Sequence, residues 1–223
     1  MIDYQVLSTG SSGNSVLINR AVLIDCGVPF RTLEPYLREI RLVLLTHIHG
    51  DHFKASTLRK IFNERPTVRF GACEWLMKPL TDAGIPPRQI DLLHTGVRVC
   101  YGGIDIGVEP FPLVHDVPNC GYKLFTPGGN AVYATDTANL NGVEAKEFDL
   151  YMIEANYEDA EIWQRINDKK ASGQYIYEKR VLQTHLSKAK CDDWIYRNAG
   201  PMSEILYLHG HKEDDGDDAR ETG

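Results

Sequence analysis

His47, His49, Asp51 and His52 fall within the seven residues "THIHGDH", directly after the apolar run "RLVLL". Neutral imidazole nitrogens and carboxylate oxygens are the donors that suit zinc, manganese and iron, so the cluster is equipped for a cation. Histidines two residues apart cannot share a metal on a continuous strand or helix. The segment must therefore turn, and Gly50 is expected to supply the backbone freedom for it.

The same pattern recurs along the chain. His115 and Asp116 follow "EPFPLV", Asp136 follows "NAVYAT", Glu154 follows "MI", His185 follows "RVLQT", and His209 and His211 follow "EILYL" or its next residue. Of eight histidines only His94 stands apart from an apolar run. Strand ends along one sheet edge are rigid supports that aim several side chains into one space. One metal is expected on His47, His49 and His115, a second on Asp51, His52 and His209, and Asp136 between them. Two such ions sharing a hydroxide generate a nucleophile at neutral pH and neutralise charge in the transition state. A single histidine after a strand is usually a polar loop residue, and Asp136 alone reads as a turn or helix cap. Their recurrence at successive strand ends makes a dinuclear site the better reading, with two divalent ions: zinc first, manganese or iron as alternatives.

The elements that must position these residues are legible in outline. "DYQVLS", "SVLI" and "AVLID" read as short strands, the last two joined as a hairpin at Asn19-Arg20. "RLVLL" is a continuous apolar strand of the buried kind. "RTLEPYLREI", "KASTLRKIFNER", "EWLMKPLTDAG", "DAEIWQRINDKKASG" and "SKAKCDDWIYRNAG" carry helical spacing. "TVRFGA", "VRVCYG", "IDIGVEPFPLV", "GYKLFTP", "NAVYAT", "DLYMIEANY" and "SEILYL" read as strands. Strands, a helical block, strands again and then helices predict two packed β-sheets with helices outside. "STGSSGNS" reads first as a Gly/Ser hairpin connection, with amides that could instead bind phosphate or brace the histidine loop. Tyr151, Tyr157, Tyr175 and Tyr177 read first as core, with base stacking as the other role.

Composition is that of a globular protein, 43% hydrophobic and 25% charged over 223 residues. No apolar run approaches the roughly 18–20 residues that cross a bilayer, and the N-terminus lacks the basic flank and long apolar stretch of a signal peptide. A cytoplasmic protein is expected, with no membrane contact and no identifiable protein partner. The five scattered cysteines, never in C-x-x-C spacing, argue against a disulfide framework or a thiolate zinc site and read mostly as buried thiols. The net charge of −7 concentrates at the end: 212–223 forms an acidic tail, and residues 1–210 carry only −3. Charge therefore does not exclude a polyanionic substrate.

Taken with "LIDCG", "HDVPNCGY", "ATDTANL", "EANYED" and "THLSK", these motifs resemble the metallo-β-lactamase fold hydrolases over residues 3–211. The likeness is strongest to a compact WalJ/YycJ-like branch related to ribonuclease Z and the β-CASP nucleases. It implies an α/β (α+β) fold, a four-layer αββα sandwich in one domain, residues 1–211, with the site along one edge of two mixed sheets. It also implies His47, His49, Asp51, His52, His115, Asp136 and a final histidine as ligands. His209 is favoured over His211 because it follows "LYL" directly. His185 would bind phosphate or donate a proton, steered by Glu154, while Asp51 would hold both metal and nucleophile. The chain departs from the branch at Lys188, at Tyr157 and after His209. The implied activity is hydrolysis of a phosphodiester, in DNA or RNA, by a metal-bridging hydroxide. The alternatives are hydrolysis of a small ester, thioester, lactam, lactone or cyclic nucleotide, and a non-enzymatic protein on the same scaffold.

Overall fold

Asn19 and Arg20 both adopt left-handed φ, 47° and 57°, as a two-residue hairpin turn of the twist-matching type requires. They join β2 (Ser15–Ile18) to β3 (Val22–Ile24) in a computed structural model that describes residues 1–210. With β1 (Tyr4–Ser8), β4 (Leu42–Leu45), β5 (Arg69–Ala72) and β6 (Ile90–Leu92) they form one mixed sheet in the order β1-β2-β3-β4-β5-β6. The second sheet is ordered β12-β11-β10-β9-β8-β7. Its members are β7 (Val99–Tyr101), β8 (Ile106–Leu113), β9 (Asn119–Thr126), β10 (Gly129–Ala134), β11 (Leu150–Glu154) and β12 (Glu204–Leu208).

The side-chain alternation of a strand sorts the core into layers. In β4, Leu42 and Leu44 face the second sheet with Val16, Ile18 and Ile24, against Tyr122, Leu124, Tyr133 and Met152. Val43 and Leu45 face the other way, onto helices α1 (Phe30–Leu33), α2 (Ala55–Glu64) and α3 (Met77–Asp82). The far face of the second sheet, with Val132, Tyr151 and Ile153, packs on Trp194 and Ile195 of α6 (Lys188–Asn198). The layers are helix, sheet, sheet, helix, as expected.

Two local expectations are corrected, and one strand is added. The helix read over "RTLEPYLREI" is only α1 followed by a 3₁₀ turn at Glu34–Tyr36, because Pro35 lacks the amide that would continue it. The segment after His115, Asp136 and Glu154 that ends in "RVLQT" is no strand but helix α5 (Glu178–Thr184). Its Val181 and Leu182 pack toward Ile162 and Ile166 of α4 (Asp159–Ser172), a contact invisible in so short an apolar run. Strand β6 was not anticipated. The acidic tail 212–223 lies outside the described residues, and among those described no helix is long and apolar enough to cross a membrane.

β3 to β6 run parallel, as do β10 to β12, and β8 points the same way as β10 because both are antiparallel to β9. The chain therefore leaves β8, β10, β11 and β12 at one end of their sheet, and the meeting of His47 with His115 and of His52 with Asp136 puts the exit of β4 at that same end. Carboxyl ends of strands are where open α/β sheets place their ligands.

Candidate metal centre

Leaving β4, the chain makes one tight turn: the amides of His52 and Phe53 both donate to His49 O, at 2.9 and 2.8 Å. Gly50 is not the reason this turn forms. Its backbone is not left-handed and an added Cβ would meet nothing within 4 Å. The glycine that the loop needs is Gly27, where a Cβ would sit 1.7 Å from Asp51 O. That close approach lets Asn14 N donate to Asp51 O (2.6 Å) and Cys26 N to His52 O (2.8 Å). The "STGSSGNS" turn is therefore a brace for the histidine loop, and Asn14 Nδ2 also lies 2.8 Å from His52 Nε2.

Side chains distant in sequence converge on this loop. One donor atom each from His47, His49 and His115 lies within 4.8 Å of the others, and the same holds for Asp51, His52 and His209. Asp136 groups with His47 and His52 on one side, and with Glu154, His185 and His209 on another. His115 Nε2 is 3.2 Å from His49 Nδ1, and His209 Nε2 is 3.5 Å from Asp51 Oδ2 and 3.4 Å from Asp136 Oδ1. Asp136 and His209 both hold left-handed φ, 58° and 53°, a conformation that costs energy in these residues and turns their side chains back over the strand ends. All the expected ligands among residues 1–210 meet here; His211, the competitor of His209, lies outside the described residues.

The rear of four of the five rings is held by a partner. His52 Nδ1 donates to Asp25 Oδ2 at 2.7 Å, and Asp25 also accepts from Thr46 N and Tyr133 Oη, each at 3.0 Å. Thr46 Oγ1 meets His47 Nδ1 at 2.9 Å, His115 Nδ1 donates to Thr184 O at 2.9 Å, and Asn156 lies 3.2 Å from His209 Nδ1. Such partners fix which ring nitrogen faces inward and how the ring is oriented. Asp25 and Asn14 were not singled out from sequence. Asp25 had a signal, an acid closing the apolar strand "VLI", but its partner lies 27 residues on.

Glu154 is fully buried and satisfied: Oε2 accepts from Thr137 N (2.9 Å) and Leu186 N (3.2 Å), and Oε1 accepts from His185 Nδ1 at 2.6 Å. His185 thus enters from the end of α5 rather than from a strand.

Three buried donor atoms in the cluster have no hydrogen-bond partner: His47 Nε2, Asp136 Oδ2 and His209 Nε2. Asp136 Oδ2 is 2.9 Å from His52 Nε2, but not in line with a ring N–H. Unpaired buried polar atoms are costly, and several aimed at one space fit a cation. Electrostatics agree at His47, His115 and Asp136. Burial pushes His47 and His115 below the ordinary histidine range, into the neutral form that binds metal. Burial also opposes a charge on His52, but the carboxylates of Asp136 and Asp25 outweigh it and hold that ring well above the ordinary value. Asp136 is held well below the ordinary carboxylate value: burial opposes this, and the surrounding imidazoles, His52 foremost, prevail. The residues present fit divalent cations.

The cluster floors a cavity of about 300 Å³ whose opposite wall is α5, through Tyr177, Arg180, Val181 and Thr184. Asp116, to which the sequence assigned no role, bridges floor and wall. Its Oδ1 is 3.2 Å from His115 Nε2 and 3.4 Å from His49 Nε2, and its Oδ2 accepts from Arg180. Of the tyrosines weighed from sequence, Tyr151 and Tyr157 are core and Tyr177 reaches the cavity.

An αββα sandwich with imidazoles and carboxylates gathered where its strands end defines a metallohydrolase architecture. Residues 20–185 match the Beta-lactamase superfamily domain, and the chain belongs to that family. It is 24% identical over 172 residues to a Bacillus anthracis protein named Exodeoxyribonuclease YycJ, covering 70% of this chain and 64% of that relative's length. The metallo-β-lactamase fold protein YhfI from Bacillus subtilis superposes with a TM-score of 0.73 at 15% identity, over 95% of this chain and 87% of that one. The short form of human tRNase Z superposes at 0.64 and 17% identity, over 94% and 93%.

Proposed function

We propose that the protein is a metal-dependent phosphodiesterase acting on nucleic acid, DNA or RNA. The observation that carries this reading is the set of unpartnered buried atoms, His47 Nε2, Asp136 Oδ2 and His209 Nε2, gathered beside a cavity that His185, held by Glu154, also lines. His47, His49 and His115 would hold one ion and Asp51, His52 and His209 a second, with Asp136 between them. Two divalent ions, zinc first and manganese or iron next, supply when bound an acidified water and a counter-charge for a phosphoryl oxygen. Asp51, on the loop after β4, would hold its ion and orient the attacking water. His185 binds a phosphate oxygen and gives its proton to the leaving oxygen, and Glu154 keeps the ring turned toward the cavity. The names carried by the bacterial relative and by tRNase Z favour a nucleic-acid substrate over a lactam or thioester.

The test is metal analysis of the purified protein coupled to a cleavage panel: bis(p-nitrophenyl) phosphate, single-stranded and duplex DNA, RNA, and nitrocefin. Phosphodiester turnover that depends on added metal supports the reading. Turnover of nitrocefin alone rejects it.

A further inference from the structure

Every charged group lining the cavity floor is an acid or an imidazole. Among the described residues lining that cavity, Arg180 carries the one permanent positive charge, and Tyr177 presents the one aromatic ring outside the histidines. The two stand three residues apart at the start of α5, so they project to the same side of that wall. We infer that Tyr177 and Arg180 form a nucleotide-binding pair at the cavity mouth, the ring stacking an unpaired base and the guanidinium holding the phosphate next to the scissile one. The protein would then take the free end of a single strand. This inference rests on the phosphodiesterase reading and sharpens its substrate.

Tyr177 is built as a platform. Lys169 Nζ sits 3.9 Å from the centroid of its ring, covering one face, and the same ammonium pairs with the buried Glu178 at 2.5 Å. The residue remains 42% exposed, which leaves surface for a base. Stacking on an aromatic face is tolerant of base identity but requires the base to be unpaired.

Arg180 is built as a clamp that can be handed over. Its side chain is 69% exposed and its ion-pair partner is Asp116. An exposed ion pair contributes little stability, so exchanging the carboxylate for a phosphate costs little. A guanidinium fork matches two phosphate oxygens as well as it matches a carboxylate. Four residues further along α5 is Thr184, followed by His185; at the helical rise this is about 6 Å, so clamp and His185 can engage neighbouring phosphates of one strand. A cavity of about 300 Å³ accommodates a strand end and leaves no room for a duplex.

The experiment measures binding and turnover side by side. Binding is read by fluorescence anisotropy of a phosphorothioate-linked, fluorescein-labelled hexathymidylate with the metal-loaded protein. Arg180→Ala should weaken binding about tenfold or more, and Arg180→Lys less, since it keeps the charge without the fork. Tyr177→Ala should weaken it about fivefold or more, and Tyr177→Phe should restore it. In kinetics on a thymidine p-nitrophenyl phosphodiester, Arg180→Ala should raise KM more than it lowers kcat. For Tyr177→Ala, the ratio of kcat/KM on that ester to kcat/KM on methyl p-nitrophenyl phosphate should fall at least about fivefold. Oligonucleotide affinity within twofold of wild type in both alanine variants, or no binding by the wild type, overturns the assignment. Binding that responds to both variants while no phosphodiester is turned over supports the pair and rejects the hydrolytic reading.

Discussion

Glu154 and His185 meet at 2.6 Å, with Glu154 fully buried and His185 turned to the cavity. Burial disfavours a charge on His185, but the hydrogen bond that its ring donates to Glu154 prevails and raises the ring above the ordinary histidine value. A raised value keeps the proton on as pH climbs, which is what a proton donor requires. His185→Ala should lower phosphodiester turnover at least about a hundredfold while metal content persists. Glu154→Gln should pull the alkaline limb of the pH–rate profile toward neutrality, because the ring then loses its proton earlier. Unchanged turnover in His185→Ala removes that residue from the mechanism.

Chelation should destabilise the fold as well as stop turnover. The unpartnered atoms of His47, Asp136 and His209 would lose whatever partner occupies their common space. Metal bound to the native state alone stabilises it by mass action, about 2.7 kcal/mol at a hundredfold excess over Kd. Dialysis against chelator should lower Tm, and titration with zinc should restore it with a stoichiometry near two. Asp136→Asn should reduce that stoichiometry; a value of two in the variant denies Asp136 its place between the ions.

Asp25 does not line the cavity over the histidine cluster, yet it should tune metal affinity. It holds His52 Nδ1 at 2.7 Å, and Thr46 and Tyr133 hold it in turn. Asp25→Asn cannot accept from the ring with the same charge, and loss of such a supporting carboxylate typically costs about 10–100-fold in metal affinity. Competition with a chromophoric chelator measures it, and unaltered affinity would make Asp25 a purely structural acid.

Two glycines near the histidine loop should respond in opposite ways. Gly27→Ala places a Cβ 1.7 Å from Asp51 O, against backbone that cannot swing away. Overpacking of this kind costs about 1–3 kcal/mol or more, and here it displaces the Asp51 loop, so metal stoichiometry should fall with Tm. Gly50→Ala meets open space and should leave Tm within about 2 °C, since surface changes of this kind stay within about 0.5 kcal/mol. Equal penalties at both sites would contradict the packing described.

The α4–α5 hairpin should show its own pH dependence. Glu178 is buried; desolvation works against its charge, but the hydrogen bond from Lys169 prevails and holds it below the ordinary carboxylate value, with Arg165 adding to the pull. A depressed value contributes stability that is full above the ordinary carboxylate range and lost as pH falls through the folded value. Lys169→Met should therefore cost about 2 kcal/mol near neutral pH, between surface and buried pairs, with a penalty that shrinks on acidification. A Tm difference that is flat with pH would show that Lys169 acts through packing on Tyr177 alone.

Much of this protein was written in local pattern. The H-x-H-x-D-H spacing, the histidines and acids at strand ends and the two-residue turn at Asn19-Arg20 are properties of neighbours in sequence, and neighbours impose hydrophobic period and turn chemistry directly. Those features were enough to anticipate two packed sheets with helices outside and the gathering of His47, His49, Asp51, His52, His115, Asp136 and His209 at one place. Long-range packing decided the rest. "RVLQT" is too short to declare its period, and only its contact with Ile162 and Ile166 makes α5 a helix and the cavity wall. Gly27 and Gly50 look alike in sequence; the tertiary approach of Asp51 to the first alone makes it indispensable. Asp25 behind His52, Asn14 beneath the loop and Arg180 across from Asp116 each depend on a partner tens of residues away, and no local interaction energy encodes such a pairing before the sheets close.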